Sequence, residues 1–400
     1  MDEKPEIYLD NGATTKVDVR VVEAMIPYFL KYYGNASSLH HKGAEARNAL
    51  NDARQVIADR INADNDEIVF TSGGSESDNL AIRGTSHALK DKGNHIITTT
   101  IEHPAVLETY KQLGKEGFEV TVLNVDNDGM LDLDKLRSAI KDNTVLVSIM
   151  HANNEVGVVQ DLEKIGEICA EKNIVFHSDC VQSLCKVPIN VKQMNLSLAA
   201  FASHKLHGPK GVGALFVKRG TKLYRQIYGG SHELGLRAGT ENIPGIVGFA
   251  TAVSLWTDDD VERITSLRDK LMTGLLEIND TELNGSRESR LCNNVNISFN
   301  FIEGEGILLH LDKNGICAST GSACSSQSLD PSHVLLAINI PHSKAHGAIR
   351  FTLSRETKEE EVDYVLKVMP NIVNELRGLS PIKNNEDLAE AEKMKFDDHH

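Results

Sequence analysis

The chain has 400 residues, 40% of them hydrophobic, enough to bury a large core and, at about 100–200 residues per domain, to form two or three domains. Its 57 acidic against 42 basic residues give a formal net charge of -15, with no basic stripe to neutralise a phosphate backbone, so a nucleic-acid partner is not expected. The charged start, Met1-Asp2-Glu3-Lys4-Pro5, lacks the apolar core of a signal peptide, and no run reaches the roughly 18 apolar residues of a membrane span, so the expectation is a cytoplasmic protein with no membrane partner.

From about residue 60 to 220, short β-branched runs alternate with amphipathic stretches, which predicts strand-helix-strand units around a mainly parallel sheet. Seven strands are expected, at 67–71, 95–99, 119–123, 145–150, 174–177, 198–201 and 213–217. Helices are expected between them at 76–90, 105–115, 133–141 and 162–172. Past about residue 255 the pattern becomes that of a smaller α+β unit: helix 261–276, strand 294–299, helix 303–311, strand 348–353 and a last helix, 358–376. Residues 381–400 are charged, lack a sustained apolar stripe and read as a flexible tail.

Six cysteines, at 169, 180, 185, 292, 317 and 324, are too sparse for a disulfide scaffold, and no CxxC pair suggests a metal site, so none is expected. Cys169, Cys292 and Cys317 read as small packing residues.

Sheets of this type place ligands beyond the carboxyl ends of their strands, and three features fall there. Thr71-Ser72-Gly73-Gly74-Ser75-Glu76-Ser77 is a strand, a glycine turn and a helix start, able to hold a phosphate on exposed amides and the Ser75 hydroxyl, although the same pattern also serves plain helix initiation. Phe176-His177-Ser178-Asp179 puts a carboxylate just past a strand, where it either meets a ring nitrogen or caps a loop. Ser203-His204-Lys205 puts a lysine past another strand and before a glycine-rich turn, in place for a Schiff base or simply at the surface. Together the three describe a site for pyridoxal 5'-phosphate (PLP).

With these motifs the chain resembles the fold-type I PLP enzymes and, within them, the group I cysteine desulfurases of the NifS and IscS kind. The resemblance runs from Ile7-Tyr8-Leu9-Asp10-Asn11-Gly12 to Ser380-Pro381, through Tyr33-Gly34-Asn35, Glu102-His103, His151-Ala152-Asn153-Asn154-Glu155, Arg237-Ala238-Gly239-Thr240 and Ser319-Thr320-Gly321-Ser322-Ala323-Cys324. It implies an α/β transferase fold with a large PLP-binding domain over residues 13–255, built on a seven-stranded, mainly parallel sheet. Residues 1–12 and 256–380 would form a smaller α+β domain carrying a cysteine loop.

The resemblance also implies roles. Lys205 would bind the cofactor aldehyde, Asp179 would pair with the pyridine nitrogen, and His103 would stack on the ring and move protons. Asn154 and Gln182 match positions that orient substrate and ring hydroxyl. Gly74, Ser75 and His204 match the phosphate side, and Thr240 matches a contribution across a dimer interface. Asn35 and Arg350 match the substrate side, the arginine clamping the carboxylate of L-cysteine with its bidentate fork. Cys324, in a Ser- and Gly-rich stretch read as a mobile loop over 319–328, would take the sulfur as a persulfide and pass it to an iron-sulfur scaffold protein of the IscU or NifU kind. A homodimer is implied as well.

The chain departs from the family's pattern in places. Ala202 stands where a serine usually gives the phosphate a hydroxyl, so the phosphate either loses that bond or takes it from Ser203. Ala36 replaces a usual proline, and Cys180 and Cys185 stand where small residues are common, which reads as packing substitution. Rival readings are a selenocysteine lyase, another PLP enzyme of the aminotransferase kind that does not need Cys324, and a catalytically silent module that only docks a scaffold protein.

Overall fold

The computed structural model describes residues 5–321, 331–382, 384 and 387. Its strands, in chain order, are β1 (Ile7–Tyr8), β2 (Ile68–Thr71), β3 (His95–Thr99), β4 (Glu119–Leu123), β5 (Thr144–Ser148), β6 (Val175–Asp179), β7 (Leu198–Ala202), β8 (Gly213–Val217), β9 (Thr281–Leu283), β10 (Asn294–Phe299), β11 (Ile316–Cys317) and β12 (Ala348–Thr352). The helices are α1 (Val19–Leu30), α2 (His41–Ile61), α3 (Gly74–Ala88), α4 (Pro104–Lys115), α5 (Leu133–Ala139), α6 (Leu162–Glu171), α7 (Ile243–Ser254), α8 (Asp258–Leu276), α9 (Gly304–Lys313), α10 (His333–Ala337), α11 (His342–Ala345) and α12 (Glu359–Leu379).

Seven strands form one sheet in the order β2-β8-β7-β6-β5-β3-β4, parallel except for β8, which runs against both its neighbours. Strands β2, β3, β5, β7 and β8 bury every residue, because helices cover both faces of a sheet joined by crossovers. That is why they read as continuous apolar runs rather than alternating ones. A second, antiparallel sheet has the order β12-β10-β9. The amino-terminal segment joins this later part of the chain: β1 pairs with β11, and Asp10 bridges Thr352.

Two expected strands shift slightly. The strand read over 145–150 ends at Ser148, since the Met150 amide leaves the ladder to donate to the Glu102 carboxylate at 3.0 Å. The strand read over 174–177 instead spans Val175–Asp179, so Asp179 is the last residue of β6. Helices α1, α2 and α7 had no counterpart in the reading. Helix α7 is apolar nearly all round and packs against both α1 and α2, so it offers no period for a pattern to catch. Among the described residues no helix is long and apolar enough to cross a membrane.

Of the described cysteines, 169, 180, 185 and 292 are buried, whereas Cys317 is only half buried, a correction to its reading as a buried packing residue. It belongs to the short two-stranded pair β1-β11, which is only partly covered. Burial pushes the Cys180 thiol up to about 12 and the Cys185 thiol up to about 11, which suits inert packing groups.

Candidate active site

The carboxyl ends of β5, β6 and β7, the turn after β2 and the segment after β3 converge on a cavity of about 570 Å³. Strands β6 and β7 are parallel neighbours with Asp179 level with Ala200, so the end of one and the turn after the other open on the same side. Asp179 and Lys205 both line the cavity for that reason.

Lys205 closes a short 3-10 turn, Ser203–Lys205, directly after β7. Its Nζ donates to the Gly12 carbonyl at 2.6 Å and the Ala13 carbonyl at 2.8 Å. The Gly12 oxygen also accepts from Gln182 Nε2 at 3.0 Å. The amino-terminal segment thus holds the lysine and the glutamine against one carbonyl.

Asp78, Glu102 and Asp179 are carboxyl groups buried around this floor, and Glu155 is a further buried carboxyl of the lining. Burial raises Asp78, Glu102 and Asp179, and Glu102 reaches about 8. Only Asp179 has basic partners that oppose the rise, the Lys205 ammonium and the His103 imidazole, together with a Val181 amide donating at 2.9 Å. A dry cluster cannot hold three like charges, so the negative charge belongs on Asp179. Burial would make that charge costly without a cation opposite it, the demand that a protonated ring nitrogen meets.

His103 caps α4, its Nδ1 accepting from the Ala105 amide at 3.1 Å. Neutral His103 therefore carries its proton on Nε2, the nitrogen left for the cavity. Burial lowers its pKa, and nearby Lys205 adds to this while Asp179 opposes it.

At the other end of the cavity Gly73, with φ 156 and ψ -178, turns the chain into α3. The first amides of a helix lack acceptors within it and present partial positive charge, which suits a phosphate. Gly74 cannot carry a side chain, because a Cβ there would lie 2.7 Å from Val181 Cγ2. Ser75 and His204 line the same end. Burial, with Lys205 and Lys210 nearby, lowers His204 to about 4, so it is neutral, and its Nδ1 lies 3.2 Å from Thr14 Oγ1.

Ser203 is not part of this lining. Alternation at the end of β7 leaves Ala202 facing the cavity and turns Ser203 away, fully buried against Gly208, where a Cβ would meet its Oγ at 2.0 Å. The expected substitution of Ser203 for the missing hydroxyl is therefore corrected by the placement of its side chain.

Arg350, on β12, is almost wholly buried and lines the cavity with Asn154. Its Nη2 donates to Asp10 Oδ1 at 2.7 Å and its Nη1 to the Asn154 carbonyl at 2.8 Å, while the buried Nε has no acceptor among the described residues. A buried guanidinium with a spare donor is a natural receptor for a substrate carboxylate.

Two expected residues lie elsewhere. Asn35 is exposed, its Oδ1 accepting from the Ser37 amide at 2.9 Å, and Thr240 is exposed on the stretch before α7. Neither lines the cavity. Cys324 lies outside the described residues, although Gly321, three positions earlier, lines the cavity.

The sequence reading quoted Gly12, Glu102 and Glu155 only as landmarks, with no role at the site, and missed Asp78 and His333 there. All but Glu102 line the cavity, and Glu102 lies beside it, its backbone carbonyl accepting from His333 Nε2 at 3.0 Å. Asp78 was open to detection, since it follows Gly74 and Ser75 by four and three positions and so shares their helix face.

The donor set fits PLP: a lysine amine, a buried carboxylate in need of a cation, and a helix start at the opposite end. Comparison with known proteins agrees. Residues 7–365 match the aminotransferase class-V family. A cysteine desulfurase IscS of Dictyoglomus turgidum is 50% identical over 384 residues, covering 95% of this chain and 98% of that protein. The IscS of Methanosarcina thermophila is 50% identical over 387 residues, covering 96% of each. Among solved structures, a NifS-like protein superposes with a TM-score of 0.88 at 38% identity, over 93% of this chain and all of that one. A protein described as SspA in complex with cysteine gives 0.80 at 36% identity, over 88% of this chain and all of that one.

Proposed function

We propose a division of labour for this chain, which belongs to the aminotransferase class-V family and is a PLP-dependent cysteine desulfurase. Lys205 would hold the cofactor through its aldehyde, Asp179 would pair with the ring nitrogen, and His103 would lie over the ring. Gly74, Ser75 and His204 would hold the phosphate, with Gln182 and Asn154 orienting ring and substrate. Bound there, PLP supplies an electron sink for bond cleavage at the substrate carbons.

The remaining work falls to the protein's own groups. Arg350 receives the carboxylate of L-cysteine, its orphaned Nε supplying a donor that Asp10 and Asn154 leave over. Lys205, released from its structural role, moves protons at the α-carbon, and His103 offers the Nε2 proton. The Cys324 thiolate attacks the substrate sulfur: an S–S bond forms, the C–S bond breaks, the carbon takes a proton, and alanine leaves. The persulfide then passes to an iron-sulfur scaffold protein in the cytoplasm.

Asn35 and Thr240 would act in a homodimer, where an exposed residue of one protomer can reach its partner's cavity. The exposed apolar row Val19, Val22, Ile26, Phe29 and Leu30 on α1 supports pairing of two copies. We further read residues 13–255 as the large domain and 1–12 with 256–380 as the small one.

The observation that carries the reading is the convergence of Lys205, Asp179 and Arg350 on one cavity from three separate elements. The test is turnover of L-cysteine by the purified protein with a dithiol reductant present, which releases the persulfide sulfur as sulfide while it is itself oxidised to a disulfide, alanine and sulfide both being measured. Equal alanine and sulfide are expected, and Cys324→Ala abolishes sulfur transfer. Undiminished transfer in that variant contradicts the assigned nucleophile.

A further inference from the structure

A groove of about 700 Å³, separate from the catalytic cavity, lies where the turn after β6, the loop before β10 and α8 meet. Its walls carry Lys186, Arg268 and Arg290, all buried. This is an island of positive charge in a chain of net charge -15.

The charges there are poorly compensated. Arg268 is paired with Asp269 at 2.8 Å. Arg290 spends its donors on carbonyls, those of Ser286, Val156 and Asn284 at 2.8, 2.7 and 2.5 Å, which satisfy hydrogen bonds without cancelling charge. Lys186 Nζ donates to the Gln182 carbonyl at 3.0 Å, an uncharged acceptor, and an ammonium has two further N–H bonds to give. Cys185 and Cys292 lie close by, but burial pushes both thiols up to about 11, so they bring no negative charge. At the mouth, Asp161 is tied to Lys164 at 2.7 Å, and Glu288 is exposed. Burial lowers Lys186 to about 8 and, with Arg268, lowers Arg290 to about 9, the mark of cations held without counterions.

We infer that this groove binds a small dianion, an oxyanion or a short dicarboxylate, with Lys186 as its direct ligand and Arg290 and Arg268 supplying the field. The site touches the catalytic one through a short chain of bonds. Lys186 holds the Gln182 carbonyl, and the Gln182 side chain shares the Gly12 carbonyl with Lys205. An anion fixed on Lys186 therefore stiffens the turn that carries Gln182.

The test uses cofactor-loaded enzyme, so that the phosphate end of the catalytic cavity is filled. Sulfate and succinate are titrated by calorimetry at matched ionic strength in chloride, the two arms separating a tetrahedral oxyanion from a dicarboxylate. Lys186→Met, which keeps the apolar stem, lowers affinity at least about tenfold, the loss expected for one charge-assisted hydrogen bond, and Lys186→Arg keeps binding. In the unmodified protein the bound anion slows alkylation of Cys292, which lines the groove, and leaves Cys317 unaffected. Equal binding by wild type and Lys186→Met, no binding of either anion, or unprotected Cys292 overturns the inference.

Discussion

At the floor of the cavity, Asp179, His103 and Lys205 sit at the ends of buried elements, and each is tied down by named backbone groups. Asn35 and Thr240 are exposed and do not line the cavity. Strand ends inside a packed sheet fix a side chain whether or not a partner is present, which suits charges that must stay aligned. An exposed stretch leaves its residues for a contact made between chains. On the proposed reading the first region sets the chemistry and the second would complete it in a homodimer.

The comparison is broken most severely through the anchor of the second region. Glu233 is buried before Thr240 and joins Arg54 through two bonds, at 2.8 and 2.9 Å, while also accepting from the Phe70 amide at 2.6 Å. Glu233→Ala strands a buried guanidinium and should cost about 3–5 kcal/mol of stability in denaturant unfolding. A loss below about 1 kcal/mol, the range of a surface pair, would show that the stretch is not anchored there.

In the first region, Arg350→Lys replaces a fork by a point charge. The KM for L-cysteine should rise roughly 10- to 150-fold, the equivalent of about 1.5–3 kcal/mol for a hydrogen bond to a charged group, with a smaller change in kcat. An unchanged KM would remove Arg350 from the substrate.

The pH profile sharpens the same region. Burial lowers the His103 pKa, so the neutral imidazole persists below the ordinary histidine value, and acidification must protonate Nδ1 and break the bond from Ala105. The groups facing it are Asp179, Lys205, Glu155 and His333. The acid limb of kcat/KM should therefore fall below about pH 6.5, with activity lost as pH drops through it, and His103→Gln should abolish that limb. A limb at or above that value in both proteins would assign it to another group.

The smallest effect belongs to Thr240→Ala. Removing one hydroxyl contact should weaken cofactor binding about 2- to 10-fold, and only at protein concentrations where the dimer forms. The same loss in a monomer would place Thr240 in its own chain's cavity, against the comparison drawn above.

Much of the first region was legible because strand-end chemistry leaves local signatures. A short β-branched run followed by Asp179 or by Ser203-His204-Lys205 identifies both the strand and the residue it delivers. The seven-stranded sheet was legible for the same reason. Contacts made at long sequence separation were not: Gly12 meets Lys205 across 193 positions, and the motif that ends at Gly12 carries the resemblance without announcing that contact. Helix α7 escaped because an all-apolar helix has no period, and Ser203 was misplaced because a one-residue step at a strand end reverses the face. Asp78 and Glu102 carry no local sign of burial in the sequence, yet both are buried carboxyls at the cavity.

The central claim is tested most directly at Lys205. Reduction of the purified enzyme with borohydride, followed by peptide mass spectrometry, should place the pyridoxyl group on Lys205, and the visible absorption of the untreated protein should change when L-cysteine is added. A pyridoxyl group on another lysine, or a spectrum indifferent to L-cysteine, would contradict the account.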